Sequence, residues 1–181
     1  IRDYDLLDLR DHLGVIPQKA ILFSGTIKDN IRFGKKDATD DEIEHAAKIA
    51  QAYDFIMAKE HGFDEEISEG ATNVSGGQKQ RLSIARALVR KAPIYIFDDS
   101  FSALDFKTDA ILRKELKKEM SNSIMLVVAQ RISSIMDADQ IIVLNEGKVV
   151  GHGTHQQLLK ECKIYYEIAI SQLSEEELAH E

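Results

Sequence analysis

The sequence predicts an α/β fold in which helices pack on a parallel sheet. Residues 124–129 (Ile-Met-Leu-Val-Val-Ala) form a continuous apolar run of strand length, which is typical of a parallel strand covered on both faces. Residues 94–97 form a second apolar run, which ends in two acids. Residues 80–90 instead carry apolar side chains at helical spacing. Buried strands combined with amphipathic helices indicate an α/β core.

Composition limits the class of protein. With 181 residues, 44% of them hydrophobic, the chain can bury one sizeable core. Its apolar runs are too short to span a bilayer and no signal peptide opens it, so we expect a soluble globular piece. The net charge of −8 argues against a nucleic-acid partner, because such proteins need a basic surface. Cys162 is the single cysteine, so it cannot form an internal disulfide and is expected to be buried or half-buried.

The first half of the chain begins with a short strand and continues with helices. Residues 13–16 are apolar and precede a proline, which predicts a core strand that presents Gln18 at its carboxyl end. From the residues alone, a simple turn residue after proline is the favoured alternative. Thr39 and Glu42 form a capping box that starts a helix, and residues 53–59 form another helical stretch.

The second half alternates strands and helices. Residues 106–120 are predicted to be helical, with Ile111, Leu116 and Met120 facing inward. A further strand is predicted at residues 141–144, a turn at residues 145–148, the hairpin partner at residues 149–151 and one closing helix at residues 154–168.

A small-residue loop precedes the helical run of residues 80–90. Ser75, Gly76 and Gly77 stand where backbone N–H groups at a helix N-terminus lack partners and the helix dipole is positive. Glycine also lets an anion approach the backbone closely, so the loop is suited to bind a phosphate. The alternative is an ordinary helix cap with a flexible entry.

The residues that follow decide between these alternatives. Asp98 and Asp99 end the strand of residues 94–97, and Ser102-Ala103-Leu104-Asp105 come soon after them. In order and spacing, this stretch closely resembles the ATP-binding cassette (ABC) family, with its signature loop, helix, Walker B strand and D-loop. The resemblance extends from residue 1 to about residue 172, and residues 22–34 are similar to a segment of exporter nucleotide-binding domains. It implies a P-loop NTPase-type parallel sheet core with an inserted helical lobe.

The family's phosphate loop is missing. None of the ten glycines belongs to a G-x-x-x-x-G-K-[ST] pattern. The resemblance places the corresponding strand between residues 124–129 and 141–144, so we expect a core that lacks its phosphate-loop strand and has open strand edges. A chain that starts at Ile1 fits an N-terminally truncated fragment, expected to bind ATP weakly and able to self-associate. The predicted ATPase core comprises residues 1–18 and 92–172. The predicted helical lobe with the signature comprises residues 19–91, and a frayed acidic tail comprises residues 173–181.

The resemblance implies roles for the polar residues of an ATP site. Asp98 would hold Mg²⁺ through water, and Gln18 would contact Mg²⁺ or the attacking water. Asp99 stands where active members have a glutamate, and Gln130 replaces the switch histidine. Both catalytic positions are therefore altered together. This pairing resembles the degenerate half of a heterodimeric exporter, in which one of two composite sites hydrolyses ATP poorly.

In the family, two such domains close head to tail, and each signature faces the nucleotide held by the other. The resemblance therefore implies a second nucleotide-binding domain, on a different chain, as a partner. It also implies contact with the coupling helices of a transmembrane domain, a position at the cytoplasmic face of the cell membrane, and ATP-driven export of a drug-like or lipid-like substrate. The residues expected to contact ATP bound to the partner, or to lie between the two sites, are Ser75, Gly76, Gly77, Gln78, Ser102 and Asp105.

Two other functions fit parts of the sequence. A non-catalytic regulatory or interaction module is favoured, for the chain as it stands, by the two altered positions and the absent phosphate loop. A soluble ABC ATPase of DNA repair or translation is the other alternative. The acidic charge and the exporter-like residues 22–34 argue against it.

Overall fold

The computed structural model describes residues 3–173, which divide into two compact units with the boundary between Val128 and Ala129. The order of helices and strands confirms the predicted α/β class. The first unit contains α1 (Leu6–Asp11), β1 (Leu13–Ile16), β2 (Gly25–Thr26), α2 (Ile27–Arg32), α3 (Asp40–Ile49), α4 (Tyr53–Met57), β3 (Glu66–Ile67), α5 (Gly76–Leu88), β4 (Ile94–Asp98), α6 (Phe106–Glu119) and β5 (Ile124–Val128). The second contains β6 (Ile141–Asn145), β7 (Lys148–Gly153), α7 (His155–Glu161) and α8 (Lys163–Gln172).

A three-stranded parallel sheet in the order β1-β4-β5 forms the centre of the first unit. Leu13 pairs with Ile94, and Ile94 pairs with Ile124, so the first residues of the three strands are in register. The ring of Tyr95 packs so closely on Gly14 that a Cβ at residue 14 would lie 2.5 Å from it. The parallel pairing brings the carboxyl ends of all three strands to one edge of the sheet.

One face of this sheet is covered and the other is exposed. Ile16 and Phe97 are fully buried in an apolar cluster that also contains side chains of α5 and α6. On the opposite face Val15 and Leu126 are each 53% exposed. The prediction that residues 124–129 are covered on both faces is therefore wrong for the first unit, because its second sheet face leaves Val15 and Leu126 exposed. A continuous apolar run does not reveal how many of its faces are covered.

Side-chain caps start all the α-helices of this unit except α4. Thr39 Oγ1 accepts a hydrogen bond from the Glu42 amide at 3.2 Å, and the Glu42 carboxylate accepts one from the Thr39 amide at 3.2 Å, which confirms the predicted capping box. Ser75 and Gln78 form a second one at the start of α5. Helix α5 therefore begins at Gly76 rather than at residue 80, because the cap draws the small residues into its first turn.

Helix α6 presents a different apolar face from the predicted one. Leu112 and Leu116 are fully buried, and Met120 is 6% exposed, whereas Ile111 is 40% exposed. The prediction that Ile111 faces inward is wrong. Residues four apart share a helix face, and the buried series starts one residue later, at Leu112.

The second unit is a hairpin followed by two helices. Strands β6 and β7 pair antiparallel across Glu146 and Gly147, whose φ values of 48° and 74° suit a two-residue hairpin turn. This confirms the predicted hairpin. The prediction of a single closing helix is wrong, because the backbone is extended at Cys162 (φ −115°, ψ 100°) and this residue separates α7 from α8. Cys162 itself is buried, as predicted, and its sulfur packs against Gly151.

No helix within residues 3–173 combines the length and the apolar character required to cross a membrane. The acidic residues 175–177 of the predicted frayed tail lie outside the described residues. The two compact units have other boundaries than the predicted core and helical lobe, and that division stays a prediction.

Candidate functional site

The carboxyl ends of β1 and β4 bring together two of the predicted site residues. Gln18 follows β1 by two residues, and its side-chain Nε2 donates a hydrogen bond to Asp99 Oδ2 at 3.0 Å. Asp98 is the last residue of β4 and is exposed, and Asp99 is half-buried. Residues 81 positions apart therefore form one polar cluster at the edge of the parallel sheet. Ligand sites of open α/β sheets lie at such edges.

The backbone turns sharply at Asp99. Its φ is 46°, in the left-handed region that aspartate tolerates better than most residues. The Asp99 amide donates to the carbonyl of Val128 at 2.9 Å, which extends the pairing with β5 by one residue. The Ser102 hydroxyl donates to the Asp99 carbonyl at 2.8 Å and closes the turn. Asp99 is thus held by its backbone on two sides.

Two buried side chains that the sequence analysis did not single out support this cluster. The Ser100 hydroxyl donates to the carbonyl of Ile16 at 2.8 Å, and Gln80 Nε2 donates to the carbonyl of Pro17 at 3.2 Å. Both donors are at most 1% exposed. No local signal marks these two residues, because both stand in largely polar stretches, and their partners are too distant in sequence to be inferred.

The start of α5 presents unused backbone donors. Ser75 accepts from the Gln78 amide at 3.2 Å, and the Gln78 side chain accepts from the Ser75 amide at 2.9 Å. Within residues 3–173, the amides of Gly76 and Gly77 have no hydrogen-bond acceptor. Ser75 and Gly76 are exposed. Two free N–H groups at the positive end of a 13-residue helix form a place where an anion is stabilised.

The two glycines have different surroundings. A Cβ on Gly77 would lie 3.3 Å from the carbonyl oxygen of Ala103, so this glycine allows α5 to pack against the segment that precedes α6. A Cβ on Gly76 would meet nothing within 4 Å among the described residues. The fold of this chain therefore gives a reason for glycine at position 77 and none at position 76.

Asp105 is the N-cap of α6. Its carboxylate accepts hydrogen bonds from the Thr108 amide at 2.9 Å and from the Thr108 hydroxyl at 2.7 Å. These bonds hold the pKa of Asp105 below its usual value. The charged form is the one that caps the helix, so Asp105 and Ser102 both have structural roles within this chain. Their predicted contacts with a nucleotide stay predictions.

Arg81 is a further residue that the sequence analysis missed. One guanidinium nitrogen donates to the carbonyl of Gln51 at 2.6 Å, and the group lies 4.6 Å from the centroid of the Phe55 ring. Desolvation lowers the pKa of Arg81, while Asp105 and Asp54 act against this change. Arg81 connects α5 to the start of α4.

Arg86 holds an exposed aromatic pair. Its guanidinium donates to the Asn30 carbonyl, the Asn30 side-chain oxygen and the Ile21 carbonyl, each at 2.8 Å. The centroids of the Phe23 and Phe33 rings lie 4.8 Å apart and are 5.0 Å and 5.8 Å from this guanidinium, although Phe33 is 65% exposed. Burial lowers the pKa of Arg86. A groove beside the pair is lined by residues that include Arg10, Val15, Ile21, Phe33 and Arg86.

The site has a partial set of metal ligands. Within residues 3–173 no three His, Cys, Asp or Glu side chains are grouped to hold a metal ion. Asp98, Asp99 and Gln18 nevertheless supply hard oxygen atoms at one strand edge. Mg²⁺ is commonly held by one or two carboxylates, with waters and substrate phosphates completing its shell. These residues therefore fit Mg²⁺ only when a phosphate ligand accompanies it.

Gln130 belongs to the second unit. Its backbone carbonyl accepts a hydrogen bond from Gln172 Nε2 at 2.8 Å, and Gln172 Oε1 accepts one from the backbone N–H of Ile132 at 2.8 Å. This places Gln130 in a segment tied to α8. Its predicted role beside the acids stays a prediction.

Comparisons with known proteins agree with this geometry. The family model described as ABC transporter matches residues 1–102. An uncharacterized ABC transporter ATP-binding protein of Mycobacterium bovis is 43% identical over 95% of this chain and 30% of its own length. The ATP-dependent lipid A-core flippase of Syntrophus aciditrophicus is 40% identical over 100% of this chain and 30% of its own length. The chain spans about 30% of the length of these curated relatives.

A solved structure extends the likeness to the whole fold. The structure described as a bacterial Atm1-family ABC exporter with ATP bound superposes with a TM-score of 0.92 and 38% identity. The match covers 97% of this chain and 31% of that chain. The sequence pattern, the strand-end cluster and these matches agree, and the chain belongs to the ABC transporter family.

Proposed function

We propose that this chain is the nucleotide-binding domain of an ABC exporter and that it works at the cytoplasmic face of a membrane. In the complete transporter it binds ATP with Mg²⁺ and hydrolyses it. The observation that carries this proposal is the hydrogen bond of 3.0 Å between Gln18 and Asp99, beside the exposed Asp98. This arrangement supplies a metal-binding carboxylate, a second acid and an amide at one strand edge, as phosphoryl transfer requires.

Each residue of the home site, defined as Gln18, Asp98 and Asp99, has a distinct task. Asp98 holds Mg²⁺, and Gln18 contacts the metal or the attacking water. Asp99 orients that water, but its carboxylate stands one methylene shorter than a glutamate would. A displacement of about 1 Å can lower the rate by about a hundredfold. Gln130 can donate a hydrogen bond to the γ-phosphate but cannot carry a proton. The home site therefore binds nucleotide and hydrolyses it slowly.

The signature of this chain serves a second, competent site on another chain. Support comes from the free amides of Gly76 and Gly77, and from the open space where a Cβ on Gly76 would stand. A phosphate that approaches from outside the chain explains both features. Ser75 and Gln78 shape this helix end through their capping box, and the segment from Ser102 to Asp105 packs beside Gly77. The partner is a different nucleotide-binding domain, docked head to tail.

The exposed Phe23 and Phe33 rings and the adjoining groove form the contact surface for a transmembrane domain. Arg86 ties this surface to α5, the helix that carries the signature. Movement at the nucleotide can therefore reach the membrane domain through one rigid helix. The relative named as a lipid A-core flippase supports a lipid-like substrate for the complete transporter.

A second candidate is a regulatory module that keeps the fold without turnover. It is favoured by Asp99 and Gln130 at two catalytic positions. This candidate predicts nucleotide-independent association with a partner.

A Gly76→Asp substitution in the full-length protein separates the two candidates. A Cβ at residue 76 meets no atom of the described residues within 4 Å, and an acid in the first turn of a helix stabilises it, so folding should be unchanged or improved. A phosphate bound there would be repelled, and ATP turnover should fall by about a hundredfold or more. Thermal unfolding and ATPase rate are measured on the same preparation. Absence of ATP turnover in the assembled parent protein would refute the exporter ATPase and favour the regulatory module, and unchanged turnover in Gly76→Asp would refute the role of the signature.

A further inference from the structure

Two consecutive backbone carbonyls lead into Gln18, and each is held by a buried side chain. Ile16 accepts from Ser100, which directly follows Asp99, and Pro17 accepts from Gln80, which lies in α5. Gln18 then contacts Asp99. The turn that carries Gln18 is therefore fixed from both sides, by the strand of the home site and by the helix of the signature.

Gln80 is an unusual residue for its position. Its side chain is 1% exposed in a helix whose other buried residues are apolar or small, such as Leu82 and Ile84. Burying an amide in such surroundings costs free energy unless it is hydrogen-bonded. A methionine would fill a similar volume without that cost, so packing alone does not explain a glutamine here. The bond to Pro17 gives the amide a partner.

The bond also joins two functional regions of the chain. Gln80 lies five residues after Ser75 in the same helix, which corresponds to about 7.5 Å along its axis. A helix transmits displacement along its length as a rigid element. The carbonyl of Pro17 is one residue from Gln18, so a shift of α5 moves the turn, and with it the Gln18 amide relative to Asp99.

We propose that Gln80 is a positioning residue that sets the distance between Gln18 and Asp99 and links the signature helix to the home site. This inference rests on the proposed nucleotide-binding function. Gln80 does not contact nucleotide or metal. Loss of its amide leaves the Pro17 carbonyl without its donor and frees the turn, so Gln18 loses its alignment while ATP affinity is retained.

The test is a double-mutant cycle in the full-length assembled protein. Gln80→Met keeps the side-chain volume and removes the donor, and Gln18→Ala removes the group that it positions. The partner's competent site is inactivated so that only the home site turns over, and we then expect Gln80→Met to lower kcat for ATP hydrolysis by about tenfold, with KM for ATP changed less than about twofold. In the Gln18→Ala background it should have no further effect, because residues that act through one contact are not additive.

Ile84→Val is the matched control. Ile84 is fully buried in α5 and does not line the groove beside Phe33, so the substitution removes one methyl group without removing a hydrogen-bond donor. This variant should retain the kcat of the parent protein. Thermal unfolding and the assembled fraction are measured for all variants. Gln80→Leu, which likewise has no polar donor, serves as the second test variant and should behave like Gln80→Met.

Several results would overturn the inference. The first two are an unchanged kcat in Gln80→Met, and an equal loss of kcat on Gln80→Met in the parent protein and in the Gln18→Ala background. The third is an unchanged kcat in Gln18→Ala itself. The fourth is failure of both Gln80 variants to assemble, which would assign Gln80 to folding. Each leaves the proposed function intact if the parent protein hydrolyses ATP and Gly76→Asp abolishes that activity. Absence of ATP hydrolysis in the parent protein would instead refute the proposed function.

Discussion

The side-chain amide of Gln18 donates to the carboxylate of Asp99 over 3.0 Å, although the two residues are 81 positions apart. Asp99 reaches Gln18 from a backbone that the Val128 carbonyl and the Ser102 hydroxyl hold in place. The reach of the carboxylate is therefore set by its side-chain length. A longer acid would extend further toward a nucleotide from the same anchored backbone.

Asp99→Glu together with Gln130→His should restore turnover at the home site. The added methylene and the titratable imidazole supply what the two present side chains lack, and we expect a gain of about tenfold or more. Turnover at each site of the assembled heterodimer is the measurement. Asp99→Asn is the control and should remove any residual hydrolysis. No gain in the double variant would contradict the assignment of a degenerate site.

The 181-residue chain alone should bind ATP weakly. It contains no G-x-x-x-x-G-K-[ST] pattern, so no lysine and loop amides of that kind contact the β- and γ-phosphates. We expect titration calorimetry with Mg²⁺ and ATP to give a Kd weaker than about 1 mM. The full-length protein, under the same conditions, is the comparison. Micromolar binding by the chain alone would contradict this prediction.

Gly34→Ala should destabilise the first unit strongly. A Cβ at residue 34 would overlap the carbonyl oxygen of Arg86, a backbone atom of α5 that cannot move aside. Overpacking of this kind costs about 2–4 kcal/mol, which urea unfolding would detect. Gly76→Ala is the matched control, since a Cβ there meets nothing within 4 Å. Equal stability of the two variants would show that the end of α2 does not pack on α5 as described.

Glu42 should make stability sensitive to acid. Hydrogen bonds from Lys91 and Lys35, and from the Thr39 amide, lower the pKa of Glu42 from 4.5 to about 2. A pKa lowered by folding stabilises the folded state above pH 4.5, and this contribution is lost as the pH falls from 4.5 toward 2. Glu42→Gln should therefore flatten the fall of the unfolding midpoint in this range.

Asp41→Asn is the comparison for that experiment, because Asp41 is an exposed acid of the same helical turn. Unfolding midpoints of both variants and the parent chain are measured from pH 6 down to the acid transition. An identical acid response of Glu42→Gln and the parent chain would show that this cluster does not contribute.

Local features of the fold could be predicted because their interactions are local. The capping box of Thr39 and Glu42 joins residues three apart, and the hairpin at Glu146 and Gly147 depends on the backbone freedom of two residues. The order of signature, strand and acids likewise lies within about thirty residues of sequence. Short-range chemistry of this kind is visible in the chain itself.

The errors arose where burial depends on distant neighbours. The run of residues 124–129 is apolar throughout, but only the structure shows that Leu126 is exposed on one face. Ile111 and Leu112 are equally apolar neighbours in a helix, and only packing selects Leu112 for the core. Periodicity narrows such choices to one or two residues and does not resolve them.

The sequence by itself determined the family resemblance, the candidate acids and the signature glycines, because these residues are contiguous or closely spaced. Only the tertiary structure decided which of them meet. Gln18 contacts Asp99, and Gln80 holds Pro17, because a parallel sheet and one helix bring together residues 81 and 63 positions apart. A hydrogen bond requires approach to about 3 Å, and that distance depends on how the whole domain packs.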